Sequence, residues 1–506
     1  MLKRLRHEGL RNRIVTASEA SEWIKDGMTL GLSGFTRAGD AKAVPMALVN
    51  RIKAGADHLK VNVFTGASLG SDIDKAMAEV GIVNKRLPFQ ADSVMRKSLN
   101  QGDLLFVDQH LSHTAELIRG NVMGPVDFAI VEAVAITEDG VIIPTTSVGN
   151  SSIFVECAKE VIVELNLSQP LALEGFHDIY SLEKQGERSP IPLTAADQRI
   201  GTKGIVVDVE KIKGIVITDQ MDSPSTITPP DEETAQIATH LLDFFRKEIE
   251  VGRLTNKLAP LQSGIGTVAN AVFHGFLNSE FTDLEVYSEV LQDAVFDLLD
   301  AGKITFASGC SITVSAEKME EVFSDFKKYE GKIVLRPQEI SNHPEIIRRL
   351  GLIAINTALE FDIYGNVNST HVMGTHMMNG IGGSGDFARN SRLAIFVTKS
   401  TAKNGAISSV VPFVPHLDHT EHDVDVLVTE QGLADLRGLA PRERVELIIE
   451  NCAHPDYKPQ LREYYNEAMK NGGQTPHVLE KAFAMHTRYQ KEGTMLAKPS
   501  KVEVLN

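Results

Sequence analysis

A pattern written twice restricts this chain more than any other feature. On either side of a proline-bearing segment, the sequence passes through a glycine turn, a helical stretch and a short strand closing on small or polar residues. In the first half the turn is Ser33-Gly34-Phe35-Thr36, and the strand Val61-Asn62-Val63-Phe64 leads into Thr65-Gly66-Ala67-Ser68. In the second half the turn is Gln262-Ser263-Gly264-Ile265-Gly266, and Leu284-Glu285-Val286-Tyr287 leads into Ser288-Glu289. Further on, Ala129 to Gly140 (AIVEAVAITEDG) parallels Ile353 to Gly365 (IAINTALEFDIYG), each an apolar strand turning at a glycine. The strand Glu160 to Glu164 then parallels Leu393 to Val397. The repetition predicts two tandem, related α/β domains. Strands alternating with helical spacings such as Leu291, Val295, Leu298 and Leu299 predict mainly parallel open sheets, whose ligands bind beyond the C-terminal ends of the strands.

The segment Asp219 to Glu233 (DQMDSPSTITPPDEE) has three prolines and no Lys or Arg. It lies between the strand-like Gly214 to Ile217 and the helix-like Thr234 to Phe245, and is expected to be a solvated linker. The expected domains are therefore residues 1–218 and 234–506. At about 150 residues per domain the 506-residue length suggests roughly three, but the doubled pattern favours two.

Charge and hydropathy exclude several classes of function. With 51 Lys+Arg against 67 Asp+Glu the net charge is −16, and no basic tract exists to meet a phosphate backbone, so nucleic acid is not expected as a partner. No apolar stretch approaches the roughly 18 residues of a membrane span, and Phe128 to Ile136 is broken by Glu132. The basic start, with Lys3, Arg4, Arg6, Arg11 and Arg13 around Glu8, leads into no apolar targeting segment and is expected to be a first helix. Cys157, Cys310 and Cys452 are too far apart for a zinc pattern or a disulfide framework, which points to a reducing compartment, the cytoplasm.

Five features could carry chemistry. The turn Gln262 to Gly266 opens an amphipathic helix through Val268 and Val272, and its free amides could hold an anion, although a tight strand-to-helix turn needs no ligand. Gly264 to Ala269 also fits the relaxed GxGxxA dinucleotide fingerprint, with Glu285 or Glu289 as the ribose-binding acid, but Pro260 argues against the regular central strand that fingerprint requires. Glu289 is expected to emerge at the ligand edge of its sheet, before a helix that begins near Leu291; a carboxylate there would also suit the helix dipole. The glycine-dense Asn379 to Gly385 permits close backbone approach to a ligand. Gly66-Ala67-Ser68-Leu69-Gly70 fits the GxSxG elbow of serine hydrolases, and also an ordinary turn. His416, Asp418, His419 and His422 are spaced as metal ligands might be, but no further ligand pair completes a site, and no metal is expected.

Taken in order, Gly264-Ile265-Gly266, Tyr287-Ser288-Glu289-Val290, Arg336-Pro337-Gln338-Glu339-Ile340-Ser341-Asn342 and Asn379 to Phe387 resemble the acetyl-CoA hydrolase/transferase family of class I CoA-transferases, in particular the acetate/succinate CoA-transferases. The resemblance extends from Ser33 through Thr429-Glu430-Gln431-Gly432 to Cys452-Ala453-His454-Pro455. It implies two domains of the CoA-transferase fold, a homodimer, acyl-CoA and a short-chain carboxylate as substrates, and no cofactor beyond coenzyme A itself.

Roles follow from the same resemblance. Glu289 corresponds to a nucleophilic glutamate that attacks the thioester, forms a mixed anhydride and is then recaptured by the thiolate as a glutamyl-CoA thioester. The amides of Ile265 and Gly383 correspond to donors that meet the oxyanion. Asn342 corresponds to an amide that orients Glu289 or the incoming acid. Leu261, Gln262, Ser263, Gly264, Ile265, Leu359, Asn379, Gly383 and Lys403 correspond to coenzyme A contacts, Lys403 supplying charge near the phosphates.

Since nothing between Lys213 and Arg246 is Lys or Arg, acetate or another monocarboxylate is expected in preference to succinate. An acyl-CoA hydrolase using the same glutamate, an idle coenzyme A-binding scaffold and a nicotinamide oxidoreductase are the competing readings.

Overall fold

The structure is a computed structural model that describes residues 3–55, 59–225 and 229–497. Residues 226–228 of the expected linker lie outside that range, as do 1–2, 56–58 and 498–506.

Two open sheets organise the chain. Across the first, the strands run Leu105–Phe106, Val83–Leu87, Val61–Phe64, Thr29–Leu32, Val126–Ile136, Ala158–Asn166 and Ile212–Thr218, with Ile14–Val15 at the far edge. Across the second they run Ile333–Leu335, Ile304–Gly309, Leu284–Tyr287, Leu261–Ser263, Ile353–Thr357, Leu393–Val397 and Val426–Thr429, with Gly432–Asp435 at the edge. Leaving out the edge strands, and Ile142–Pro144, which pairs antiparallel with Val126–Ile136 off the path, both sheets place their fourth, third, second, first, fifth, sixth and seventh strands side by side in that order, and every pairing along the path is parallel. The doubled sequence pattern is therefore a doubled topology. Val126–Ile136 shows why the central strands read as near-continuous apolar runs: all but Asp127 are buried, as expected when helices cover both faces of a parallel sheet.

Several expectations are corrected. Leu261–Ser263 is a central strand of the second sheet despite Pro260, because the proline stands just before the strand and uses only its carbonyl, which accepts from Ile353 N at 3.0 Å. The helix expected near Leu291 spans Asp293–Asp300; Val290–Leu291 instead pairs with Ser311–Ile312. The basic start forms a 3-10 turn, Glu8–Arg13, rather than an α-helix. Nor is the linker simply solvated. Asp222 is buried, receiving Lys42 Nζ at 2.9 Å and Gly39 N at 3.1 Å, and Ser225 N donates to Val314 O at 2.9 Å. At the other end of the linker, Asp231 caps the helix Glu232–Glu250.

The halves share one apolar core, in which Phe176 and Phe326 pack with ring centroids 4.5 Å apart. Polar ties across it converge on one motif. Arg336 is fully buried in an ion pair with Asp178, Gln338 Nε2 donates to Leu111 O at 3.0 Å, and Glu339 meets Arg119 at 2.9 Å. The three cysteines are free thiols, and no helix among the described residues is long and apolar enough to cross a membrane.

Candidate active site

Glu289 follows its strand by two residues and stands at the C-terminal edge of the second sheet. Neighbouring backbone fixes it there: Cys310 N and Ser311 N donate to its carbonyl at 2.6 and 3.0 Å. Ser288 Oγ donates to Ser263 O at 3.0 Å, which draws the turn after Ser263 alongside the glutamate.

The side chain is only 6% exposed and lines a cavity of about 320 Å³ between the halves. The second half contributes Gly264, Ile265, Asn356, Leu359, Asn379 and the loop Gly380 to Gly383. The first half contributes an apolar wall of Phe35, Ala67, Phe89, Ala91 and Leu111.

One oxygen of the carboxylate, Oε1, accepts from Asn342 Nδ2 at 2.7 Å, whereas Oε2 has no hydrogen-bond partner among the described residues. Asn342 is itself fully buried. It is placed by Tyr287, whose hydroxyl donates to Ile340 O at 2.8 Å and so ties the segment ending at Asn342 to the strand that carries Glu289. Behind it Asp386 accepts from Ser112 N and Oγ at 3.0 and 2.6 Å.

Burial pushes the Glu289 carboxyl up to about 7, an effect that the Asn342 bond opposes and the nearby charge of Asp386 reinforces. Asp386 is pushed up to about 6, again by burial, against the bonds from Ser112. A carboxyl held near neutrality in a water-poor pocket is a stronger base and nucleophile than one in water, and still ionises at physiological pH.

Two glycine turns bracket it. Gln292 clamps the first: its Nε2 donates to Gly264 O at 3.0 Å and its Oε1 accepts from Gly266 N at 3.1 Å. The N–H of Ile265, between them, is left without a partner among the described residues. Gly383 lies across the carboxylate, and its N–H is likewise unengaged. A Cβ at Gly383 would stand 1.9 Å from Glu289 Oε1 and 2.5 Å from Asn342 Nδ2, so only bare backbone fits. The pocket thus combines a nucleophilic carboxylate, two free amide donors and an apolar wall, the parts needed to attack an activated carbonyl and stabilise the resulting oxyanion.

The other sequence candidates divide. Leu261 and Gln262 are fully buried in the sheet and Ser263 nearly so, and none lines the cavity; Gln262 and Asn356 exchange two 3.1 Å hydrogen bonds beneath it. Lys403 is exposed at the tip of the hairpin Thr401–Ala402/Ile407–Ser408, outside the cavity lining, with no ion partner among the described residues. Ser68 is buried, and no histidine hydrogen-bonds it among the described residues. No group of three His, Cys, Asp or Glu among the described residues could hold a metal. Asp418 instead accepts from Ser369 N at 2.6 Å, and His419 Nε2 meets Ser384 Oγ at 3.1 Å, the latter bracing the glycine-rich loop. Glu285, the alternative ribose acid, lies outside the cavity lining.

Sequence reasoning missed the first-half wall, the clamp of Gln292 and the pair of Asp386 with Ser112. The wall had a signal: Phe35 and Ala67 lie in the very turns that repeat those of the second half.

Residues 2–217 match the acetyl-CoA hydrolase/transferase N-terminal domain, and residues 320–465 the C-terminal domain of the same family. A succinyl-CoA:acetate CoA-transferase of Clostridium kluyveri is 53% identical over 97% of this chain and 92% of its own. An acetyl-CoA hydrolase of Schizosaccharomyces pombe is 44% identical over 97% of this chain and 98% of its own. Among solved structures, RipA from Yersinia pestis superposes with a TM-score of 0.70 at 21% identity, over 90% of this chain and 98% of that one.

Proposed function

The chain belongs to the acetyl-CoA hydrolase/transferase family, and from that premise we propose that it moves coenzyme A between an acyl-CoA and a short-chain carboxylate, with Glu289 as the covalent relay. The observation that carries this is the buried Glu289 carboxylate with Oε2 free, set between the unengaged amides of Ile265 and Gly383.

Oε2 attacks the thioester carbonyl, and the two amides receive the oxyanion. Collapse breaks the C–S bond, giving an acyl-glutamyl anhydride and the coenzyme A thiolate. The thiolate then attacks the glutamyl carbonyl and releases the carboxylate, which leaves a glutamyl-CoA thioester. An incoming acid reverses both steps and departs as the new acyl-CoA. No proton has to move in the exchange, which agrees with a site whose nearest partner to the nucleophile is a neutral amide rather than a histidine.

The apolar wall suits a small acyl group. Acetate or a similar monocarboxylate is the acceptor this reading favours. The described linker residues carry no base, and Lys399, which does reach the linker, is already paired with Asp231 and with Glu233, the latter at 2.7 Å. Coenzyme A is the only carrier required, its phosphates extending toward Lys403. The reading further places the enzyme in the cytoplasm as a homodimer.

Double-reciprocal kinetics with varied acyl-CoA and varied acid should give parallel lines. Thiol release equally fast with no acid present would make water the acceptor and establish the hydrolase reading, which relies on the same glutamate.

A further inference from the structure

Asp108 lies between the strand Leu105–Phe106, at the edge of the first sheet, and the helix Leu111–Arg119. Its carboxylate reaches into the second half, where both oxygens accept from Ile381 N, at 2.9 and 3.1 Å. Ile381 is two residues before Gly383. The fit is close, since a Cβ at Gly380 would stand 2.8 Å from Asp108 Oδ1 and 3.0 Å from the Phe89 ring. The loop can lie against this acid only as bare backbone.

The partners Asp108 lacks are equally informative. It forms no ion pair among the described residues, and the charge of nearby Asp418 is repulsive. The residue is exposed, yet both its carboxylate oxygens are spent on one backbone N–H of the other half rather than on a cation. Two further contacts hold the same stretch from the same side. Asn100 and Met377 exchange two hydrogen bonds of 2.9 Å, and Ser112 holds Asp386. Asp108 acts between them, at the turn next to Gly383.

We infer that Asp108 is a positioning residue: by holding the Ile381 amide it seats the Gly380 to Gly383 loop, so that the Gly383 N–H stays free and faces the carbonyl that Glu289 attacks. Because the acid and the loop come from different halves, the seat exists only where the halves meet. The inference rests on the reading of Glu289 as nucleophile.

Asp108→Ala and Asp108→Asn, made in the full chain, test it. A misplaced donor loop should lower kcat by about 100-fold in Asp108→Ala while leaving KM for acyl-CoA within about threefold. Asparagine keeps an acceptor oxygen for Ile381 N and should recover most of the rate. Hydrogen–deuterium exchange of the peptide spanning 377–386 should speed up in the alanine variant and return to the wild-type rate in the asparagine variant. Asp108→Ser replaces alanine if that variant does not fold. An unchanged kcat, a loss carried in KM, or an asparagine variant as slow as alanine would each overturn the inference. If the wild-type enzyme exchanged no coenzyme A while Asp108→Ala still loosened the loop, the seat would stand and the reading of Glu289 would fall.

Discussion

Asn342 Nδ2 lies 2.7 Å from Glu289 Oε1, and it is the one hydrogen bond that carboxylate receives from the described residues. A single neutral amide therefore both aims the nucleophile and tempers its basicity, while leaving Oε2 exposed to the cavity.

Acyl-CoA supplied without an acceptor acid should leave coenzyme A bound covalently to Glu289, detectable by peptide mass spectrometry. Glu289→Ala should abolish exchange but still bind coenzyme A in calorimetry, because the glycine turns that line the cavity remain. Equal loss of binding would make Glu289 structural instead.

Gly383→Ala tests the loop directly. The backbone at Gly383, with φ −88° and ψ −4°, suits alanine, so the fold should survive with a melting temperature within about 4 °C of wild type. The added methyl must displace the Glu289 carboxylate, and kcat should fall by about 100-fold or more. Near-wild-type turnover would show that the two groups do not meet as described.

In the proposed exchange Glu289 must be ionised to attack, and burial lifts its carboxyl to about 7. The plot of kcat/KM against pH should therefore rise through about 7 and level off above it. Asn342→Ala removes the bond that favours the charged form, so its midpoint should move to higher pH as well as its plateau falling. A midpoint that stays put would mean that another group governs the profile.

The same shift bears on stability. A carboxyl raised on folding binds its proton more tightly in the native state, so its contribution is full below its unfolded pKa, near 4.5, and lost as pH rises through about 7. Glu289→Gln should accordingly melt higher than wild type at pH 8, with the gain vanishing toward pH 4. A difference independent of pH would place the effect elsewhere.

Arg336 and Asp178 join the halves as a fully buried ion pair. Arg336→Met alone leaves an unpaired buried carboxylate and should destabilise the protein by about 3–5 kcal/mol. The double variant Arg336→Met/Asp178→Leu should restore part of the loss, and chemical denaturation of the three proteins measures it.

The two related, mainly parallel sheets were legible because each half repeats one order of glycine turn and apolar strand, and parallel pairing makes those strands apolar throughout; the order of strands across each sheet was not. Glu289 could be expected at the ligand edge from its place after such a strand. Local pattern could not show the contacts between halves. Asp178 is 158 positions from Arg336, and nothing near either names the other. Asp222 was misjudged for the same reason: its surroundings in sequence are polar and proline-rich, while its burial is decided by Lys42, 180 positions away. Pro260 misled because a missing N–H matters inside a strand and not one residue before it.

The shared strand order also bears on stoichiometry. Counting two residues past the second strand of each sheet, Glu289 in the second half corresponds to Gly66 in the first. No side chain fits at Gly66, where a Cβ would stand 2.6 Å from Gly34 O. The two halves thus differ at the corresponding position: a carboxylate lines the cavity in one, while in the other a glycine leaves room for none and Phe35 and Ala67 form a wall. A burst titration that counts thiol released per polypeptide should accordingly saturate at one equivalent, although the chain contains the same architecture twice.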